Sequence, residues 1–136
     1  MINETFLPLQ AERITNNLKK DILEYLPEIF ISEKTASTND DAKIYLPNQS
    51  SELSIHLTEQ QEAGKGRNGK KWVSPNGKNI YLSLGWKSPL QYSELDGLSL
   101  SVGCIVANVL NSSANDQINI KWPNDLLINQ KKISGI

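Results

Sequence analysis

Residues 64–72, GKGRNGKKW, place three glycines, four cations and one tryptophan in nine positions. Glycines at 64, 66 and 69 let backbone N–H groups face a ligand without obstruction from side chains. Lys65 and Arg67 stand two apart. On extended backbone both would project to one side and could converge on one anion. Composition leaves two readings open: a cradle for phosphate or carboxylate, or a solvated basic loop. The P-loop spacing is absent. Gly64, Gly66 and Gly69 satisfy G-x-G-x-x-G on paper, but KKWVSP is a poor helix start, so no dinucleotide fold is implied. Glycines and like charges together lead us to expect a stretch without fixed shape until an anion orders it.

Three further stretches carry groups that could join such chemistry. KWPND offers Lys121 opposite Trp122 in the strand pattern, with Asn124 and the Asp125 carboxylate close behind. The plain reading is a strand-ending turn with Trp122 in the core. KKISG puts Lys132 and Ser134 on one strand face and Ile133 on the other. Lys132 could hold a phosphate or carboxylate, or could be a solvated lysine on an edge strand. STND, residues 37–40, reads first as a helix cap. His56 reads as an ordinary surface or half-buried histidine, and Cys104 as core. No Ser-His-Asp grouping is visible.

The elements that must position these groups follow from periodicity. LQAERITNNLKKDILEYL spaces Leu9, Ile14, Leu18, Ile22 and Leu26 as a first helix, which Pro27 ends. EIFIS is a strand. STNDDAKIYL is a second helix with Ser37 or Thr38 as N-cap, and Thr38 with Asp41 has capping-box spacing. Leu53, Ile55 and Leu57 alternate on one face of a half-buried strand. SPNGKN is a turn and IYLSLGW another strand. Ser93 to Leu110 is an amphipathic helix through Leu95, Leu98, Val102, Ile105, Val106 and Val109. Ile118, Ile120 and Trp122 alternate. LLIN and KISGI form two more strands about a tight turn. The fold class is α+β: a mixed, mostly antiparallel sheet with helices packed on it.

Totals narrow the function classes. The 136 residues suit one domain, and the 38% hydrophobic and 21% charged content is that of a soluble globular chain. A net charge of -1 excludes nucleic-acid binding by bulk electrostatics, so anion binding must come from a local cluster. One cysteine excludes an intrachain disulfide, and one Cys with one His excludes a Cys/His zinc site within the chain. No secretory signal and no apolar run of membrane-spanning length is visible.

In order and spacing, STND, then EQQEAGKGRNGKKWVSPNGKNIYLSL, then IKWPNDLLINQKKISGI resembles the biotin protein ligase family, from Ser37 to the last residue. The resemblance implies a class II synthetase-like biotin/lipoate ligase catalytic fold. The chain would be its N-terminal part, residues 1–136, without a helix-turn-helix domain or a C-terminal barrel. It implies a cytoplasmic enzyme that uses ATP and Mg²⁺ to convert biotin to biotinyl-5′-adenylate. Biotin then passes to a lysine of a biotin carboxyl carrier protein, with no DNA or membrane partner. By motif, Ser37, Thr38, Asn39 and Gln61 would hold biotin, with Gly64, Lys65, Arg67, Lys132 and Gly135. Gly66, Arg67, Asn68, Gly69, Trp72, Lys121, Asn124 and Asp125 would serve ATP and the adenylate. Arg67 and Lys132 would be catalytic, and no residue would be a metal ligand. The family's commonest loop has arginine where Lys65 stands, so the charge is kept and the planar fork lost. An unpaired edge at Ile133 to Ile136 would invite homo-oligomers, and the 136 residues alone could be inactive. A lipoate-ligase-like enzyme and a non-catalytic binding module are the alternatives.

Overall fold

The computed structural model describes residues 8–23, 28–48, 52–113 and 116–136. The chain divides into two compact units, 1–88 and 89–136.

In the first unit, β1 (Glu28–Ser32), β2 (Leu53–Thr58) and β3 (Tyr81–Trp86) form a sheet in the order β1-β2-β3. β1 runs parallel to β2, and β3 antiparallel to it. The mixed sheet requires a crossover between β1 and β2, and α3 (Thr38–Tyr45) lies within that crossover. α3 packs on the face that carries Ser54 and Gly85. A Cβ at Gly85 would stand 2.6 Å from Leu46 Cδ1 and 3.3 Å from Ala42 Cβ, so glycine there sets how closely the helix approaches.

That packing reverses the expectation for β2. Leu53, Ile55 and Leu57 do share a face, but the small polar set Ser54, His56 and Thr58 is the more deeply buried. On the opposite face Leu82 and Leu84 of β3 remain exposed. Alternation shows which residues share a face, not which face a helix will cover. The buried polar atoms are satisfied locally. Thr58 Oγ1 donates to Ser32 O or Gln60 O, and His56 Nε2 lies 3.2 Å from Ser54 Oγ.

His56 stacks on Phe30 at 4.9 Å between ring centres, with Tyr45 edge-on at 5.7 Å. Burial pushes its pKa below the ordinary 6.5, and the Asp41 charge opposes this. The unfolded chain therefore takes up the proton first. The contribution is complete above 6.5 and is lost as pH falls from there towards the depressed folded-state value. The urea midpoint should drop between about pH 7.5 and about pH 5.5, and His56→Phe should flatten that slope. An unchanged slope in the variant would show that another group titrates.

The expected helix over 9–26 appears as two short pieces, α1 (Ala11–Thr15) and α2 (Lys20–Leu23). Thr15 Oγ1 bonds Ala11 O or Glu12 O and Asn17 Nδ2 bonds Arg13 O, so side chains take helical carbonyls where the pattern breaks. The expected stop at Pro27 lies outside the described residues.

The second unit is α4 (Leu98–Asn111) against an antiparallel sheet of β4 (Ile118–Lys121), β5 (Asp125–Ile128) and β6 (Lys131–Gly135). Ala107, Ile118 and Leu126 make its core, with Val106 and Ile128 packed on them. The helix starts later than expected. Tyr92–Leu95 is a separate turn held by a Gln91–Glu94 capping box, and Gly97 breaks the path at φ 84°. The span 92–111 is apolar enough for a membrane by composition. The break leaves a 14-residue helix of about 21 Å, short of the roughly 30 Å hydrocarbon core. The helix buries small residues, Gly103 and Ala107, and turns Ile105 and Val109 outward. Cys104 shares the outward side and is exposed, not core.

Candidate functional site

Gln61 is placed by an extension of the β1–β2 pairing beyond the strands. Thr35 N–H donates to Gln60 O, Glu62 N–H to Thr35 O and Ala63 N–H to Ala36 O. This lays residues 60–63 beside the start of α3. Ser37 is the N-cap and is buried, yet makes no side-chain capping bond. Gln61 does that work from across the crossover. Its Oε1 accepts from Thr38 N–H at 3.0 Å and from the Thr38 hydroxyl at 3.2 Å. The expected Thr38–Asp41 capping box is therefore not formed, because Asp41 accepts instead from the Thr35 hydroxyl at 2.8 Å. Asn39 sits in the first turn of α3 with its side chain exposed.

GKGRNGKKW has a definite shape, contrary to expectation. Trp72 N–H donates to Gly64 O at 2.8 Å and Gly66 N–H to Lys70 O at 2.6 Å, with Lys65 bridged to Lys71. Asn68 (φ 56°) and Gly69 (φ 72°) turn its tip through the left-handed region, which asparagine and glycine accept most readily. The like charges do not prevent the hairpin because its cations point into solvent. One of them is also neutralised: Lys65 Nζ meets Asp40 Oδ2 at 2.5 Å. The Lys65 hydrogen bond holds the Asp40 carboxyl below its ordinary range. Convergence of Lys65 and Arg67 on one point is not what the backbone builds, since Arg67 begins a 3-10 turn just after Gly66. A cleft of about 390 Å³ opens beside the base of the hairpin, lined by Gln61, Lys71, Trp72, Ser74 and Pro75.

In the second unit, Lys121 pairs with Asp125 across the 122–124 turn, and Asp125 with Gly135 on β6. Lys132 Nζ meets Asp125 Oδ1 at 2.7 Å. Asn124 Nδ2 donates to Ile136 O, and Ile136 N–H to Asn124 O, which closes the end of β6 on the turn. Trp122 is 77% exposed, not core, because strand alternation ends at Lys121 and the turn carries the indole outward. A bulge also interrupts the alternation at Ile133: Leu126 opposes Ser134 while Leu127 opposes Lys132.

The structure thus brings Thr38, Gln61, Gly64 and Trp72 together in one unit and Lys121, Asn124, Asp125, Lys132 and Gly135 in the other. Sequence reasoning missed Ser74, Ser83 and Asp40. Each acts through a long-range contact, and only the position of Ser74 just after the tryptophan hinted at it.

Residues 30–136 match the biotin/lipoate A/B protein ligase family. The chain belongs to that family. The bifunctional ligase/repressor BirA of Salmonella typhimurium is 37% identical over 131 residues, covering 94% of this chain and 38% of that protein. The biotin–[acetyl-CoA-carboxylase] ligase of Paracoccus denitrificans is 32% identical over 105 residues, covering 76% of this chain and 43% of that protein. Among solved structures, the biotin protein ligase of Aquifex aeolicus in complex with biotin and ATP aligns at a TM-score of 0.66 and 27% identity, over 81% of this chain and 45% of that one. The Leishmania major enzyme in complex with biotinyl-5-AMP aligns at 0.65 and 28%, over 81% and 51%. The expected α+β ligase fold is borne out. This family member spans between about a third and a half of the length of the curated relatives it matches.

Proposed function

We propose that this chain carries the biotin-activating part of a biotin protein ligase. The observation that supports this best is the half-buried Gln61 held between buried Thr38 and Ser74 beside a cationic glycine hairpin, in the order of motifs found in biotin ligases. Ser37, Thr38, Asn39 and Gln61 would read the polar ring of biotin. Gly64, Lys65 and Arg67 would lie along its carboxyl, Gly66 to Gly69 would face the adenylate, and Trp72 would pack on the nucleotide side. Lys132 would meet the carboxylate and the reacting phosphate, and Gly135 would line the biotin pocket. Lys121, Asn124 and Asp125 would serve the phosphates.

The chemistry explains the residue types. A biotin carboxylate oxygen attacks the α-phosphorus of ATP, the bond to the β-phosphate oxygen breaks, and pyrophosphate leaves. Both reactants are anionic, so cations and backbone N–H groups must offset their repulsion and the charge that develops. In the second step a lysine amine of the carrier protein attacks the acyl carbon, an amide forms, and AMP and a proton leave. Neither step needs a nucleophile from the enzyme. Among the described residues no cluster of three His, Cys, Asp or Glu could cage a metal. Magnesium would enter as MgATP, held largely by the phosphates.

The test is pyrophosphate release by this chain and by the full-length protein. Release that requires both biotin and MgATP is expected, with lipoate a poor competitor. Lipoate winning the competition would move the chain to the lipoate branch of the family. Biotin binding without release from the full-length protein would mark a binding module and end the catalytic reading.

A further inference from the structure

Hydrogen-bond directions around Gln61 are forced. The Thr38 backbone N–H can only donate, so the Gln61 atom 3.0 Å from it is the carbonyl oxygen Oε1. The amide nitrogen Nε2 therefore lies 3.1 Å from Ser74 Oγ and donates to it. The single Thr38 hydroxyl proton points at Gln61 Oε1, so at the 2.8 Å contact with Ser83 Oγ it is Ser83 that donates. Ser74, having accepted from Gln61, directs its own proton to Trp72 O at 3.4 Å. The chain of donors runs one way, from β3 through α3 and Gln61 to the base of the hairpin. Thr38 and Ser74 are 4% and 6% exposed, which strengthens the bonds they make.

This leaves Gln61 with little freedom. Both lone pairs of Oε1 are taken by Thr38, and one Nε2 proton by Ser74. Among the described residues, one Nε2–H remains to offer to an acceptor oxygen. We infer that Ser74 is a positioning residue of this site. It fixes which way the Gln61 amide faces and couples that choice to the hairpin through Trp72 C=O. It would not touch the ligand itself. That the ligand is biotin rests on the function proposed above.

The experiment is a double-mutant cycle on the full chain, read by biotin calorimetry and by the Gln61 side-chain amide signals in the ligand-free protein. Ser74→Ala should weaken biotin binding about five- to tenfold, the loss of one well-placed hydrogen bond. In the Gln61→Ala background the same change should cost less than about twofold, because a residue acting through Gln61 has nothing left to position. In the ligand-free protein Ser74→Ala should shift both Gln61 amide protons. Additive losses in the cycle, or unmoved Gln61 signals, would overturn the inference and leave Ser74 as packing. If the unaltered chain binds no biotin, the biotin reading fails, and the ligand-free amide signals alone decide for or against Ser74. Should Ser74→Ala not fold, Ser74→Cys fills the site, weakens both the acceptor and the donor there, and serves the same comparisons.

Discussion

Lys132→Ala should lower the rate of biotinyl-adenylate formation by about 10²–10³-fold while leaving the fold intact, since removing one preorganised donor to a developing charge typically costs this much. The two halves of the expectation come from different features. Lys132 is paired with Asp125 at 2.7 Å across β5 and β6, with its side chain 39% exposed. A pair this open to solvent contributes roughly 0–1 kcal/mol to stability. Loss of the ammonium should therefore move the melting temperature by a few degrees at most. Catalysis is more demanding. In the proposed reaction a carboxylate and a phosphate are brought together, and the Lys132 ammonium, if placed there, would matter most when charge has built up on both. Lys132→Arg keeps the charge but spreads it over a planar fork, so it should recover only part of the rate. Single-turnover adenylation in the full-length protein is the measurement. A normal rate in the alanine variant would remove Lys132 from the chemistry and leave it as a surface partner of Asp125.

Much of this was legible in the sequence, for a physical reason. Strand and helix periods are local, so β2, β3, α3 and β4 to β6 fall close to where Leu53–Ile55–Leu57, IYLSLGW, STNDDAKIYL and the last twenty residues place them. The motifs are local too, so Gly64 and Lys132 stand out from the residues themselves, while Gln61 is named only through the resemblance to biotin ligases. What failed depended on how elements meet. His56 reads as a surface or half-buried histidine because it sits on the polar face of β2, and it is buried because α3 covers that face. Cys104 and Trp122 looked like core. One faces outward because α4 buries Gly103 and Ala107 instead, and the other because a turn begins where alternation was extrapolated. The cap of α3 comes from Gln61, 23 positions ahead of Thr38, and no window along the chain contains both.

Gly64→Ala is the second large effect, and it separates two roles that glycines play in the same hairpin. A Cβ at residue 64 would lie 2.8 Å from Trp72 O, 2.9 Å from Ser74 Oγ and 3.1 Å from Gln61 Nε2. None of these can simply swing away. Trp72 O is backbone, held in place by the 2.8 Å bond from Trp72 N–H to Gly64 O, and the other two atoms are bonded to each other. The methyl must either open the base of the hairpin or break the Ser74–Gln61 contact. Forced overpacking of this kind costs about 2 kcal/mol, which corresponds to roughly thirtyfold weaker biotin binding if the strain is relieved at Gln61. Gly69 makes the opposite case. Nothing lies within 4 Å of its would-be Cβ, but its φ of 72° is left-handed. Gly69→Ala should cost about 1 kcal/mol at the exposed tip through backbone conformation, and leave the Gln61 network and biotin affinity nearly unchanged. Calorimetry of the two variants side by side tests the distinction. Equal losses would mean that the glycines serve hairpin mobility. A loss confined to Gly64→Ala would mean that residue 64 is glycine because Trp72, Ser74 and Gln61 occupy the space a side chain would need.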